Sequence, residues 1–184
     1  MAESNTVARA LNELGLAAWF GGSLMGAIGV NGAAAEVEPK QQRARVANAG
    51  WNRWTPVNLV FIGAHLVGST LLTAGNKSRI AGQKGVAKTS AAKTVVTGAA
   101  LAATAYARVL GQKVIASGDV PVEGGTTPAY ETPPAVADAQ RKLNKLQWTI
   151  PALTGGLVLF DALMGEQQRP TQAASGVLGR ILPG

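Results

Sequence analysis

Residues 54–75 read WTPVNLVFIGAHLVGSTLLTAG and contain no Asp, Glu, Lys or Arg, although Arg53 precedes them and Lys77 follows closely. A helix needs roughly 20 apolar residues to cross a hydrocarbon core about 30 Å thick. Pro56 fits the first turn of such a helix, where its missing N–H does no harm. The stretch therefore predicts a membrane-spanning helix.

Three further stretches predict spans at 14–35, 94–110 and 146–165. We interpret the first as a retained spanning helix rather than a cleaved signal peptide. The third span along the chain, 94–110, is short, rich in Ala and contains Arg108, so a re-entrant or interfacial helix is the alternative. Pro151 predicts a kink in the fourth span.

The composition favours lipid as the surrounding medium. The chain is 47% hydrophobic and 15% charged, against roughly 25% charged in an average soluble domain. Its charges gather in the connections 36–53, 76–93 and 111–145. We therefore predict one membrane domain, 1–184, folded as an all-α bundle of four transmembrane helices.

The net charge of +7 would suggest a nucleic-acid partner in a soluble protein. Here the basic residues flank apolar segments, where Lys and Arg face phospholipid headgroups. We therefore expect the bilayer as the partner and no nucleic acid. The headgroup-facing residues of the all-basic second connection are Lys77, Arg79, Lys84, Lys88 and Lys93.

That basic connection also predicts the orientation, because Lys and Arg favour the cytoplasmic side. Both termini are then cytoplasmic, and we expect a multi-pass protein of a bacterial inner (plasma) membrane. Trp51, Trp54 and Trp148 precede the second and fourth spans. In a four-span chain they share one membrane face, as interfacial aromatic residues do.

The third connection begins with a stretch rich in Pro, Gly and Thr. Its last part, 135–146, predicts a short juxtamembrane helix before the fourth span, because Pro133 and Pro134 suit a helix start.

Small residues predict how the helices pack, because apolar side chains gain little from one another in lipid. The first span carries such a face, and the third carries a shorter one. These faces consist of Gly15, Ala18, Gly22, Gly26, Gly29 and Ala33, and of Gly98 and Ala102. We expect the two faces either to pack backbone to backbone or to bind another protein.

Two ionisable groups, His65 and Asp161, fall at membrane depth, where an Asp costs at least about 2.5 kcal/mol. Asn58 and Ser69 share a helix face with His65, and Thr154 shares one with Asp161. Two roles stay open for His65 and Asp161, namely a structural hydrogen bond and a proton relay. In either role the two side chains are joined directly or through water. Haem ligation by His65 would need a second ligand from a partner, and we expect no metal and no cofactor.

Nucleotide binding is not expected, although residues 82–89 approach the pattern GxxxxGK[ST]. Ala87 stands where the second Gly is needed, and no predicted strand precedes it. The chain lacks a paired-carboxylate motif and GxSxG, and it has no Cys, so thiolate metal sites are excluded. We do not expect an enzyme.

The sequence leaves three functions open. The first is a noncatalytic integral membrane subunit that supports assembly of a larger complex. The second is a small homo-oligomeric transporter or channel that uses His65 and Asp161. The third is a redox membrane subunit associated with haem or quinone.

Overall fold

The protein's structure is a computed structural model that describes residues 2–75 and 85–166, with side chains described from Thr6 onward. Its α-helices are α1 (Ala2–Met25), α2 (Asn31–Ala35), α3 (Arg43–Gly75), α4 (Val86–Ala116) and α5 (Pro134–Glu166). The π-helical turn Gly26–Val30 joins α1 to α2, and the 3-10 turn Lys40–Gln42 precedes α3.

Four helical segments are long and apolar enough to cross a membrane: Thr6–Ala35, Lys40–Gly75, Val86–Ala116 and Pro134–Glu166. The four predicted spans are confirmed as helices of this kind. The third is 31 residues long, which at 1.5 Å per residue makes it roughly 46 Å, more than a hydrocarbon core requires.

Two predicted helix boundaries are wrong. Pro56 lies inside α3 rather than in its first turn, because α3 already begins at Arg43. The expected juxtamembrane helix is not separate either. It begins at Pro134 as predicted but continues through Pro151 as the single helix α5, because no residue between these two prolines breaks a helix.

The outer surface of the helices carries many large apolar side chains and is compatible with contact with lipid. Large apolar side chains point outward, with Val60 70%, Val95 72% and Leu159 67% exposed. Polar side chains such as His65 and Gln140 are fully buried. Most of the other buried side chains are apolar, as in protein cores generally.

The glycine face of α1 packs on α3, so the predicted pairing of the first and third spans is wrong. A Cβ on Gly15 would lie 2.5 Å from His65 N, and one on Gly68 would lie 2.5 Å from Ala8 O. Further along, Gly22 and Gly26 lie against the rings of Trp54 and Trp51. The helices α1 and α3 thus approach closely because side chains are missing at these positions.

The second packing pair is α4 on α5, and α1 also packs on α5. By contrast, α3 and α4 make few contacts with each other. A gap therefore runs between α3 and α4 along the bundle.

Residues 117–133 form a compact cap over the end of the bundle where α3 begins and α4 ends. Within this cap Val122 and Pro128 form an isolated antiparallel bridge, and Gln140 Nε2 donates to Gly124 O at 3.0 Å. Arg43 donates to Val37 O at 2.7 Å and to Glu123 O at 3.1 Å. The Pro/Gly/Thr-rich connection is thus fixed by hydrogen bonds to its own carbonyl groups.

Candidate functional site

Four helices each contribute to one buried polar cluster, which we call the Asn12 cluster. Asn12 comes from α1, His65 and Ser69 from α3, Lys93 from α4 and Asp161 from α5. Asn12, His65 and Lys93 are 1%, 0% and 8% exposed. His65, Ser69 and Asp161 were predicted from the sequence as intramembrane polar residues, whereas Asn12 was not.

The centre of this cluster is an ion pair. Lys93 Nζ lies 2.5 Å from Asp161 Oδ1, and it also donates to Asn12 Oδ1 at 3.2 Å. Asn12 Nδ2 donates to Asp161 Oδ2 at 3.0 Å, while Ser69 Oγ donates to Asn12 Oδ1 at 2.5 Å. Both carboxylate oxygens therefore accept a hydrogen bond, which is what a buried charge requires.

Lys93 does not face headgroups, so that expectation is wrong. Its side chain is 10% exposed, because the carboxylate of Asp161 draws the ammonium into the bundle. Lys88, five residues earlier on the same helix, is exposed. Lys77, Arg79 and Lys84 lie outside the described residues.

His65 joins the cluster through Asn12 rather than by a direct bond to Asp161. Its Nδ1 lies 3.1 Å from Asn12 O. Because a carbonyl can only accept, Nδ1 carries the proton and Nε2 of the neutral ring is left as an acceptor. Nε2 is buried with no hydrogen-bond partner among residues 6–75 and 85–166, and the ring packs edge-on against Trp19 with centroids 6.2 Å apart.

The remaining predicted polar residues lie apart from this cluster. Thr154 is fully buried and donates to Ile150 O of its own helix at 2.9 Å. Asn58 lies closer to the cap, and its buried Oδ1 has no partner in the described part of the chain.

Among the residues with described side chains, no three His, Cys, Asp or Glu residues are grouped to hold a metal ion.

A cavity of about 540 Å³ occupies the cap end of the gap between α3 and α4. Trp51, Trp54 and Asn58 line it from α3, and Thr104 and Arg108 line it from α4. Residues of α1 and α5 form its floor, and Gly125 and Thr126 of the cap close it above. We call this space the Trp cavity.

Neutral amides hold the cap end of the Trp cavity together. Asn31 Nδ2 donates to Gln147 Oε1 at 2.9 Å, and Trp51 Nε1 donates to Asn31 Oδ1 at 2.9 Å. The guanidinium of Arg108 donates to Asn52 Oδ1 at 2.5 Å, and this hydrogen bond is exposed. The polar groups that face this cavity are thus mostly uncharged.

A second cavity of about 640 Å³ lies at the opposite end of the same gap. Asn12, Ser69, Lys93 and Asp161 line part of it, so the ion pair borders open space. His65 lines neither of these two cavities. A haem or quinone in either cavity would therefore not meet the Nε2 lone pair directly.

The three tryptophans predicted to lie at a membrane interface occupy different environments. Trp54 is half-buried against α1 and Trp51 against the π-helical turn that follows it, since Gly22 and Gly26 leave room for their rings. Trp148 is 51% exposed on α5.

The predicted small-residue faces are only partly used inside the bundle. Gly15, Gly22 and Gly26 contact α3, and Ala18 is half-buried. The other members, Gly29, Ala33, Gly98 and Ala102, are exposed. A Cβ on Gly98 would meet no atom within 4 Å.

Comparison with protein-family models, with curated proteins and with solved structures finds no match to this chain.

Proposed function

We propose that this chain is a noncatalytic four-span subunit of a larger membrane protein complex. One observation carries the proposal: Gly98 and Ala102 of α4 are exposed, and Gly98 borders the gap between α3 and α4 with no atom within 4 Å of where its Cβ would lie. Glycine inside a helix costs about 1 kcal/mol relative to Ala. In lipid this cost is offset when a second helix approaches closely, as α3 approaches Gly15 within the bundle.

The same proposal places the chain in a bilayer, with other integral membrane subunits as partners. The four long apolar helices and the outward-facing Val60, Val95 and Leu159 support lipid contact. A bacterial inner membrane and cytoplasmic termini belong to this proposal, as do the absence of a cofactor and of a nucleotide or nucleic-acid partner.

The test compares assemblies extracted in mild detergent. The chain should migrate on a native gel with other membrane proteins, and the double substitution Gly98→Leu with Ala102→Leu should release it as a smaller, still membrane-bound species. Ala99→Leu is the matched control, because Ala99 is also exposed but lies on an adjacent face of α4. If the unaltered chain migrates alone, the subunit proposal is wrong.

A small homo-oligomeric transporter or channel is the second candidate, favoured by the ion pair that borders the second cavity. Charged groups inside membrane proteins often mark ion or proton pathways. In liposomes that contain only this chain, this function predicts ion or proton flux that Asp161→Asn abolishes. Flux that is indistinguishable from empty liposomes removes the second candidate and leaves the first.

A further inference from the structure

We infer that the cap end of α4 and α5 carries a binding site for the phosphate-bearing headgroup of an anionic phospholipid. The site consists of Lys113 on α4 and of Arg141, Lys145 and Trp148 on α5, and we call it the basic patch. The inference rests on the proposed placement of the chain in a bilayer but not on the proposed complex.

Three members of the basic patch follow one another along a single face of α5. Arg141, Lys145 and Trp148 are spaced by four and three residues, and all three side chains are exposed. The helical rise places Trp148 roughly 4–5 Å beyond Lys145 and roughly 10 Å beyond Arg141, toward the bilayer. When the indole lies at the edge of the hydrocarbon core, where tryptophan is enriched, both cations therefore lie at the depth of the headgroups.

Lys113 joins this face from the neighbouring helix. Leu110 of α4 and Val136 of α5 belong to one core cluster, so the end of α4 lies beside the start of α5. On α5 the carboxylate of Asp138 is ion-paired with Lys142 at 2.7 Å. The positive charge of Lys113 also acts on this carboxylate. The exposed ammonium of Lys113 thus lies near the α5 face that carries the rest of the patch.

The cations of the basic patch are not neutralised by acidic side chains. Around the cap, ion pairs join Lys40 and Arg43 to Glu123, and Arg45 to Asp119. In contrast, the three cations of the patch form no ion pair with a carboxylate in the described part of the chain. Their charge is therefore complementary to an anion from outside the chain.

The surface next to the patch indicates that this anion has acyl chains. Leu159 follows Arg141 by eighteen residues, which is about five helical turns, so it continues the same face of α5. Val95 precedes Lys113 on α4 by the same interval. These two apolar side chains are 67% and 72% exposed. A phospholipid would meet the cations with its phosphate and the apolar side chains with its acyl chains, whereas an acidic soluble protein would meet only the cations.

The test measures contact between Trp148 and lipid in bilayers that contain the purified full-length chain. The bilayers are equal mixtures of phosphatidylglycerol and phosphatidylcholine, and one or the other lipid carries bromine, which quenches indole fluorescence on contact. The Trp148→Phe variant gives the signal of the other tryptophans, so the difference reports Trp148. Phosphatidylglycerol should associate at least about fivefold more strongly than phosphatidylcholine, the usual contribution of one basic residue near anionic lipid.

Two sets of variants separate the basic patch from the net charge of the chain. The triple variant Lys113→Gln, Arg141→Gln and Lys145→Gln should associate equally with both lipids. The control is Arg45→Gln with Lys88→Gln, which removes two exposed cations outside the patch and should keep the preference. Because all of these side chains are exposed, the unfolding midpoint should stay close to that of the parent chain.

Two soluble anions distinguish a lipid from other sources of negative charge. Glycerol phosphate and polyglutamate, added separately in excess over the chain, should leave the preference at Trp148 unchanged. Loss of the preference with glycerol phosphate would assign the patch to free phosphate esters, and loss with polyglutamate would assign it to an acidic protein. Either loss overturns the inference.

Two further outcomes would also contradict it. Equal association of both lipids with the parent chain, or a preference that the triple variant keeps, would show that the basic patch does not select the headgroup. Quenching of Trp148 by neither lipid would contradict the placement of the chain in a bilayer, and the inference with it.

Discussion

Replacing Lys93 with Met tests whether the Asn12 cluster holds the four helices together. The change leaves the carboxylate of Asp161, 18% exposed, without its cation. Removal of one partner of a buried ion pair typically costs about 3–5 kcal/mol, because the remaining charge stays buried and unpaired. At roughly 2–4 °C per kcal/mol for a chain of this length, the unfolding midpoint should fall by roughly 6–20 °C.

Two further variants assign that loss to the ion pair. Lys88→Met removes an exposed Lys from the same helix and should change stability by less than about 0.5 kcal/mol. The double variant Lys93→Met with Asp161→Asn removes both charges. It should be more stable than Lys93→Met alone, because the Asn amide can still bond to Asn12 without a buried charge.

Thermal unfolding in mild detergent, followed by tryptophan fluorescence, measures all three variants against the parent chain. The reasoning is refuted if Lys93→Met unfolds at the same temperature as Lys88→Met. It is also refuted if the double variant is less stable than Lys93→Met alone, since that result would mean that Lys93→Met does not leave the carboxylate of Asp161 unpaired.

Three other predictions concern the helix contact, the cap and His65. Gly68→Ala should destabilise the bundle by about 1–3 kcal/mol in the same assay, since the new Cβ meets Ala8 O at 2.5 Å. Gly63→Ala is the control and should not destabilise it, because a Cβ on Gly63 would meet no atom within 4 Å. The hydrogen bond from Lys40, with the charges of Lys40 and Arg43, holds the pKa of Glu123 below its ordinary 4.5. The stabilisation of the cap by Glu123 is therefore complete above pH 4.5 and lost as the pH falls through the lowered pKa. The protection of backbone amides in residues 117–133 against hydrogen exchange, relative to an unfolded chain at the same pH, should fall on acidification, and Glu123→Gln should remove that part of the pH dependence. His65→Asn keeps a donor for Asn12 O and should leave the activity of the parent complex largely intact, whereas complete loss of activity with normal assembly would contradict a purely structural role.

The spans were predictable because the absence of charge over about 20 residues is a local property of the sequence. The helix ends were not. Residues 43–53 contain three Arg residues and were assigned to a connection, yet they form the first turns of α3. Hydropathy cannot separate a charged helix that extends beyond the bilayer from a polar loop, since both have the same composition.

The site was predictable only in part. His65 and Asp161 were conspicuous because ionisable groups are rare at membrane depth. Lys93 was assigned to headgroups because it flanks an uncharged stretch, but its direction depends on the rotation of α4 about its axis, which only packing determines. One signal was present: Lys93 precedes the third span and Asp161 lies near the end of the fourth, so antiparallel spans place their opposite charges toward the same membrane face.

The packing of α1 on α3 was missed for a related reason. Gly15, Gly22 and Gly26 indicated that one face of the first span would be approached closely, but a run of small residues does not specify its partner. The partner follows from Gly68, Trp51 and Trp54, which match that face in position along α3. This complementarity spans two helices and is invisible in either segment alone.

The central claim is that lipid surrounds these helices, and cysteine labelling in intact membranes tests it most directly. The sequence contains no Cys, so single substitutions at Val60, Leu159 and Tyr130, which are 70%, 67% and 99% exposed, can be compared without background. A water-soluble maleimide that is supplied on both membrane faces should label Tyr130→Cys readily, but Val60→Cys and Leu159→Cys only after detergent denaturation. Equal labelling of all three without detergent would show that water surrounds the helices, and the account would be wrong.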